Sequence, residues 1–117
     1  MIEPALSLLT DGTEVLEAIV VDNINHQNML CYPCLADMDR INSIIDMAVK
    51  LSEEELIEPI DDYVLVALER RQIAAIRLPN NKILILVISK RKNAGKIIKE
   101  ISKVLKELIE AAQEKRI

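Results

Sequence analysis

The chain has 117 residues, 50% of them hydrophobic and 29% charged, with a formal net charge of −4 at pH 7. These values exclude a disordered polymer and a bundle of membrane helices. At this length a second core would leave each half too small, so residues 1–117 are expected to form a single domain. The longest unbroken apolar runs, Tyr63–Leu68 and Ile83–Ile88, are far too short to span a bilayer, so no transmembrane segment is expected. Met1-Ile2-Glu3-Pro4 does not open a secretory signal, and a cytoplasmic location is expected. Hydrophobicity is supplied without Phe or Trp and with only two Tyr, which demands an aliphatic core. Charge is split along the chain: residues 1–69 carry −13 and residues 70–117 carry +9. Acidic and basic elements that neutralise one another in the folded chain account for such a split as well as a basic tail does.

Pro4 to Leu9 reads as a short helix with proline near its start, and Thr10-Asp11-Gly12-Thr13 as the turn that ends it. Val15–Val21 is rich in β-branched residues and reads as a strand. Asp22 to His26 reads as a loop, and Met29–Tyr32 as a short second strand stopped by Pro33. From Asp37 the period changes. Met38, Ile41, Ile44, Ile45, Ala48 and Val49 recur at three and four, which predicts an amphipathic helix over 38–51. With Met47 and Leu51 its apolar sector covers roughly 200°, against about 100° for a helix with one contact. Such a helix needs a second surface beyond its own sheet.

Ser52-Glu53-Glu54-Glu55 has the spacing of a capping box ahead of Pro59. Three strand-like runs follow at Tyr63–Glu69, Ile73–Leu78 and Lys82–Ser89, with spacers short enough for antiparallel hairpins. Ile83 to Ile88 is apolar without alternation, the pattern of a central strand covered on both faces. Ile97, Ile98, Ile101, Val104, Leu105, Leu108, Ile109 and Ala112 predict a final amphipathic helix of about five turns. The expected fold is α+β, with topology αββαβββα and a five-stranded antiparallel sheet between helical layers in a three-layer α/β/α sandwich.

Little in this pattern nominates chemistry. Cys31-Tyr32-Pro33-Cys34 lies between a strand and a helix, where a redox pair would have a lowered thiol pKa. The hairpins that follow do not give the strand order of a thioredoxin-like fold, so the cysteines are read as incidental and a small thiol redox protein as an alternative. One His and two Cys cannot close a tetrahedral metal site within one chain. Asn93-Ala94-Gly95-Lys96 fails as a phosphate-binding loop, because Lys90 stands where the first glycine belongs and Ile97 where a hydroxyl residue belongs. His26 has no nucleophile or carboxylate at a motif spacing. No catalytic residue, metal ligand or cofactor is expected, and the chain is not read as an enzyme. The basic run Lys90, Arg91, Lys92, Lys96, Lys99, Lys103 and Lys106 lacks the aromatics of a nucleic-acid surface and reads first as a solvated or internally paired face. An acidic protein is its alternative partner, and Arg70, Arg71, Lys90, Arg91 and Lys92 are the residues that would meet it.

The element order and several stretches resemble the roadblock family, the dynein light-chain-like regulators of small GTPases. Thr13–Asp22 is similar to that family's first strand with its closing Asp, and Glu69–Leu78 to its hairpin between third and fourth strands. Ile83–Ile88 followed by Lys92-Asn93-Ala94-Gly95 resembles its central strand and the opening of its last helix. The first helix is shorter than the family's, and Arg70-Arg71 lacks the usual glycine. The resemblance implies a strand order of 2-1-5-4-3, with Ile83–Ile88 central and Tyr63–Glu69 at an edge. An apolar edge strand asks for a cover, as does the wide sector of helix 38–51. Both imply a homodimer through helix 38–51 and strand 63–69, with Ile44, Met47, Leu51, Tyr63, Leu65 and Ala67 at its interface. The implied function is a non-enzymatic adaptor that binds a small GTPase or a related scaffold, with no nucleic acid. A longin-like trafficking module is the nearer structural alternative, although longins begin directly with a strand. The abundance of Ile, Lys and Glu suits a heat-adapted source, hence an archaeal or bacterial one.

Overall fold

In the computed structural model the described residues are 6–10, 14–22, 29–33, 62–79, 81–90 and 92–114, with Ser43, Asp46, Met47 and Lys50. Pro4, Ala5, and most of the helix expected over 38–51 therefore lie outside them, as does the segment 52–60 with its capping box. The elements in chain order are α1 (Leu6–Thr10), β1 (Val15–Asp22), β2 (Met29–Tyr32), β3 (Tyr63–Ala67), β4 (Arg71–Leu78), β5 (Lys82–Ser89) and α2 (Ala94–Glu114). Ser43, Asp46, Met47 and Lys50 are helical, in keeping with the predicted period.

The five strands form one antiparallel sheet in the order β2-β1-β5-β4-β3. β5 is central, and all six residues Ile83 to Ile88 are buried. Its side chains alternate between two cores. Leu84, Leu86 and Ile88 join Ala18, Val20, Ala74 and Ile76 beneath α1 and α2, which contribute Leu6, Leu9, Ile97, Ile98, Ile101 and Leu105. Ile83 and Ile85 join Ile19, Val21, Ile73 and Ala75 on the other face, where Met29, Cys31, Met47 and Leu68 pack against them. The unalternating run is thus two alternating faces, each covered. No aromatic ring enters either cluster. β-Branched and γ-branched aliphatics fill both faces instead.

Turn chemistry sets the strand ends. Leu78 pairs with Lys82 across a turn in which Asn81 has φ 58°, a left-handed conformation that asparagine tolerates. β3 ends at Ala67, two residues before its expected end, because Glu69 and Arg70 take the turn. β4 correspondingly begins at Arg71 and not at Ile73, since the ladder to β5 runs on until Arg71 faces Ser89. Thr10, expected in the turn after the first helix, is its last residue, and its hydroxyl donates back to the Leu6 carbonyl at 3.1 Å.

β1 carries an irregularity that its sequence does not announce. The register to β5 shifts between Val15 and Glu17, so that Val15 joins the α1–α2 face while Glu17 pairs with Val87. The bulge leaves Leu16 exposed at 47% and Glu17 buried at 2%. α2 has 21 residues and spans about 31 Å at 1.5 Å per residue. Asn93 caps it. Its Oδ1 accepts from the Lys96 N–H at 3.2 Å and its carbonyl from the Ile97 N–H at 3.2 Å.

Candidate interaction surface

Among the described strands β3 ends the sheet, with β4 on one side and none on the other. Its burial alternates strictly. Tyr63, Leu65 and Ala67 are exposed, and Val64 and Val66 are half-buried. Register fixes which face each set occupies, because directly paired residues in a ladder project to the same side. Tyr63 faces Ile76 and Leu65 faces Ala74, both members of the α1–α2 core. Val64 and Val66 face Ala75 and Ile73, members of the core that Met47 covers.

The structure therefore divides the predicted interface set. Tyr63, Leu65 and Ala67 lie along one edge but on the sheet face opposite to Met47. On the Met47 face, the edge strand offers Val64 and Val66, which the sequence reading did not select. Ile44 and Leu51 lie outside the described residues. Tyr63 also reaches the start of α2, where its Oη would be 3.6 Å from a Cβ added at Gly95.

The basic residues fare differently. Pairing of Arg71 with Ser89 brings the β3–β4 turn beside the loop between β5 and α2. Gln72 holds that loop, its side-chain amide donating to the Ser89 carbonyl at 3.0 Å and the Lys92 carbonyl at 2.9 Å. Arg70, Arg71, Lys90 and Lys92 thus share one end of the sheet, Arg71 half-buried and the other three exposed. Arg91 lies outside the described residues. Lys92 is bonded to Glu14 at 3.1 Å, with both side chains about half exposed (49% and 48%). This pair joins the acidic half of the chain to the basic half, as the neutralising reading expected for some of these charges. An exposed pair of this kind stabilises little. A hollow of about 270 Å³ lined by Leu68, Glu69, Arg70 and Arg71 lies at the same end.

A second depression, about 310 Å³, runs between α1 and α2 and is lined by Leu8, Leu9, Glu14, Ile97, Glu100, Ile101 and Val104. Leu8 is 61% exposed there. Sequence reading missed this groove, and the one signal for it is that Val104 lies at the edge of the helical apolar stripe. No group of three or more His, Cys, Asp or Glu placed to hold a metal occurs among the described residues. No helix among them is long and apolar enough to cross a membrane.

Comparison with solved structures finds this architecture elsewhere. A crystal structure of the Roadblock/LC7 domain from Streptomyces avermitilis superposes with a TM-score of 0.65 over 92% of this chain and 94% of that one. The fold is roadblock-like. Identity to that domain is 12%, so the shared feature is the backbone path and not the side chains of any surface. No family model and no curated protein matches the sequence. In the roadblock-like frame the strand order 2-1-5-4-3 and the central place of Ile83–Ile88 agree with what the sequence resemblance implied.

Proposed function

We propose that the chain is a non-enzymatic adaptor that dimerises along β3 and binds a small GTPase or a related scaffold protein. It would favour one nucleotide state of that partner through differential affinity for the two states, with no chemistry of its own. The observation that carries this reading is the outer edge of β3, with which no described strand pairs. A five-residue strand with Tyr63 and Leu65 exposed is a template for pairing, and natural sheets keep such edges covered or charged. A second copy joined there covers both edges at once by symmetry. Val64 and Val66 extend the contact toward the face that bears Met47. The proposal includes one domain and a cytoplasmic setting. The helix α1 ahead of β1 favours this reading over a longin-like module.

Sedimentation at low micromolar concentration tests it. The wild-type chain is expected to sediment as a dimer, and a clean monomer overturns the proposal. Leu65→Lys places a charge on the edge and is expected to give monomers with unchanged helical circular dichroism. Pull-down with GDP-loaded and GTP-loaded small GTPases from the same genome then tests the partner, and equal recovery of both forms would remove the nucleotide-state component.

A further inference from the structure

The depression between α1 and α2 has an apolar floor and an acidic rim. Leu9, Ile97 and Ile101 are buried members of the core and form its base. Leu8 from α1 and Val104 from α2 complete the apolar lining and are exposed. Leu8 is the most exposed large apolar side chain among the described residues. Scattered exposed leucines are ordinary, but two exposed aliphatics lining one hollow make a concave apolar surface.

Among the described residues that line it, the two polar ones, Glu14 and Glu100, are both acidic, and none is basic. Glu14 is tied to Lys92. Glu100 is exposed, and Lys96 and Lys103, one turn to either side of it on α2, form no ion pair with it.

Three properties narrow the occupant. The carboxylates disfavour nucleic acid, an anionic membrane and an acidic segment, and they favour a cation beside an apolar group. At about 310 Å³ the hollow is at the small end of ligand pockets, which suits one or two aliphatic side chains. Ile97 to Val104 lie inside α2, whose backbone groups are bonded along the helix, so a strand laid there would find no ladder to join. A helix satisfies its own backbone and presents leucines at positions i and i+4 with a lysine or arginine alongside.

We propose that the α1–α2 groove is a docking site for a basic amphipathic helix of a partner protein, with aliphatic side chains between Leu8 and Val104 and a lysine or arginine against Glu100. The site rests on neither the dimer nor the GTPase reading. α1 packs on β1 and β2, and β3 is separated from β1 by β4 and β5. A dimer joined through β3 would carry one such groove on each copy. The groove also selects the opposite charge to the basic end of the sheet, so the two surfaces take different partners.

The probe is a fluorescein-labelled helical peptide of leucine, alanine and lysine with blocked ends, added to the full chain. One control peptide carries glutamate for lysine, and another keeps the composition with its leucines moved off the helical spacing. Anisotropy measures affinity, and 13C labelling of leucine and valine methyls locates the contact. The lysine peptide is expected to bind and to move the Leu8 and Val104 resonances, with both controls about tenfold weaker or more. Glu100→Lys is expected to weaken the lysine peptide about fivefold. Glu110→Lys makes the same charge change at an exposed position turned away from Val104, and is expected to leave binding unchanged. Val104→Asp is expected to abolish binding at unchanged circular dichroism; should it not fold, Leu8→Asp takes its place. Equal binding of the lysine and glutamate peptides overturns the proposal, as do unmoved Leu8 and Val104 resonances or equal effects of Glu100→Lys and Glu110→Lys. If Leu8→Asp changes the sedimentation of the chain alone, the groove is a contact between copies and the proposal fails. A monomeric chain that binds the lysine peptide refutes the dimer and sustains the groove.

Discussion

Asn93 and Gly95 show how single positions open α2. The Asn93 side chain satisfies the Lys96 N–H, one of the donors that a helix start leaves unpaired. Asn93→Ala is therefore expected to destabilise the fold by about 1 kcal/mol, measured as a lower urea midpoint at unchanged slope. Gly95 has the opposite expectation. A Cβ there would be 3.5 Å from Asn93 Oδ1 and 3.6 Å from Tyr63 Oη, ordinary contact distances, in a helical backbone that alanine adopts freely. Gly95→Ala is expected to stabilise by roughly 0.5 kcal/mol through the smaller entropy lost on folding. A drop in melting temperature for Gly95→Ala would show that Tyr63 needs the space. The glycine would then be a packing requirement of the edge strand and not of the helix.

Individual elements differ in how much of them the sequence displays. β5 was legible as a central strand because burial on both faces removes alternation, and no other element of this size produces a six-residue aliphatic run here. The three- and four-residue spacing of Ile97, Ile98, Ile101 and Leu105 showed α2 just as directly. Strand phase was half legible: alternation puts Tyr63, Leu65 and Ala67 on a common face, but only pairing with Ala74 and Ile76 says which face. The bulge in β1 was not legible at all, since Val15-Leu16-Glu17 scores as continuous strand and nothing local marks Glu17 as buried. The sequence reads the cysteines as incidental, whereas Cys31 is disulfide-bonded, a state that sequence spacing alone does not decide. Burial also ranks the strands by energetic weight. Ile85→Ala, at a fully buried central position, is expected to cost about 2–5 kcal/mol in urea unfolding. Leu30→Ala on β2, at 51% exposure, is expected to change stability by no more than about 0.5 kcal/mol.

In the whole molecule part of the basic half of the chain gathers at one end of the sheet. Arg70, Arg71, Lys90 and Lys92 reach that end from two separate loops, joined by the Arg71–Ser89 pairing and the hydrogen bonds of Gln72. Lys92 is tied to Glu14, but Arg70 and Lys90 stand exposed where an approaching acidic surface would meet them first. Charges so placed at a rim act on encounter more than on the lifetime of a complex, because solvent screens them once the partners are docked. With a small GTPase recovered by pull-down, stopped-flow association is therefore expected to slow as salt rises. Arg70→Glu combined with Lys90→Glu is expected to lower the association rate about tenfold at low ionic strength, with little change in dissociation. The variant should lose most of the salt dependence as well. A wild-type association rate indifferent to salt would assign the basic end to solvation, and the partner would then have to be held by the apolar edge of β3 or the groove beside Leu8 and Val104.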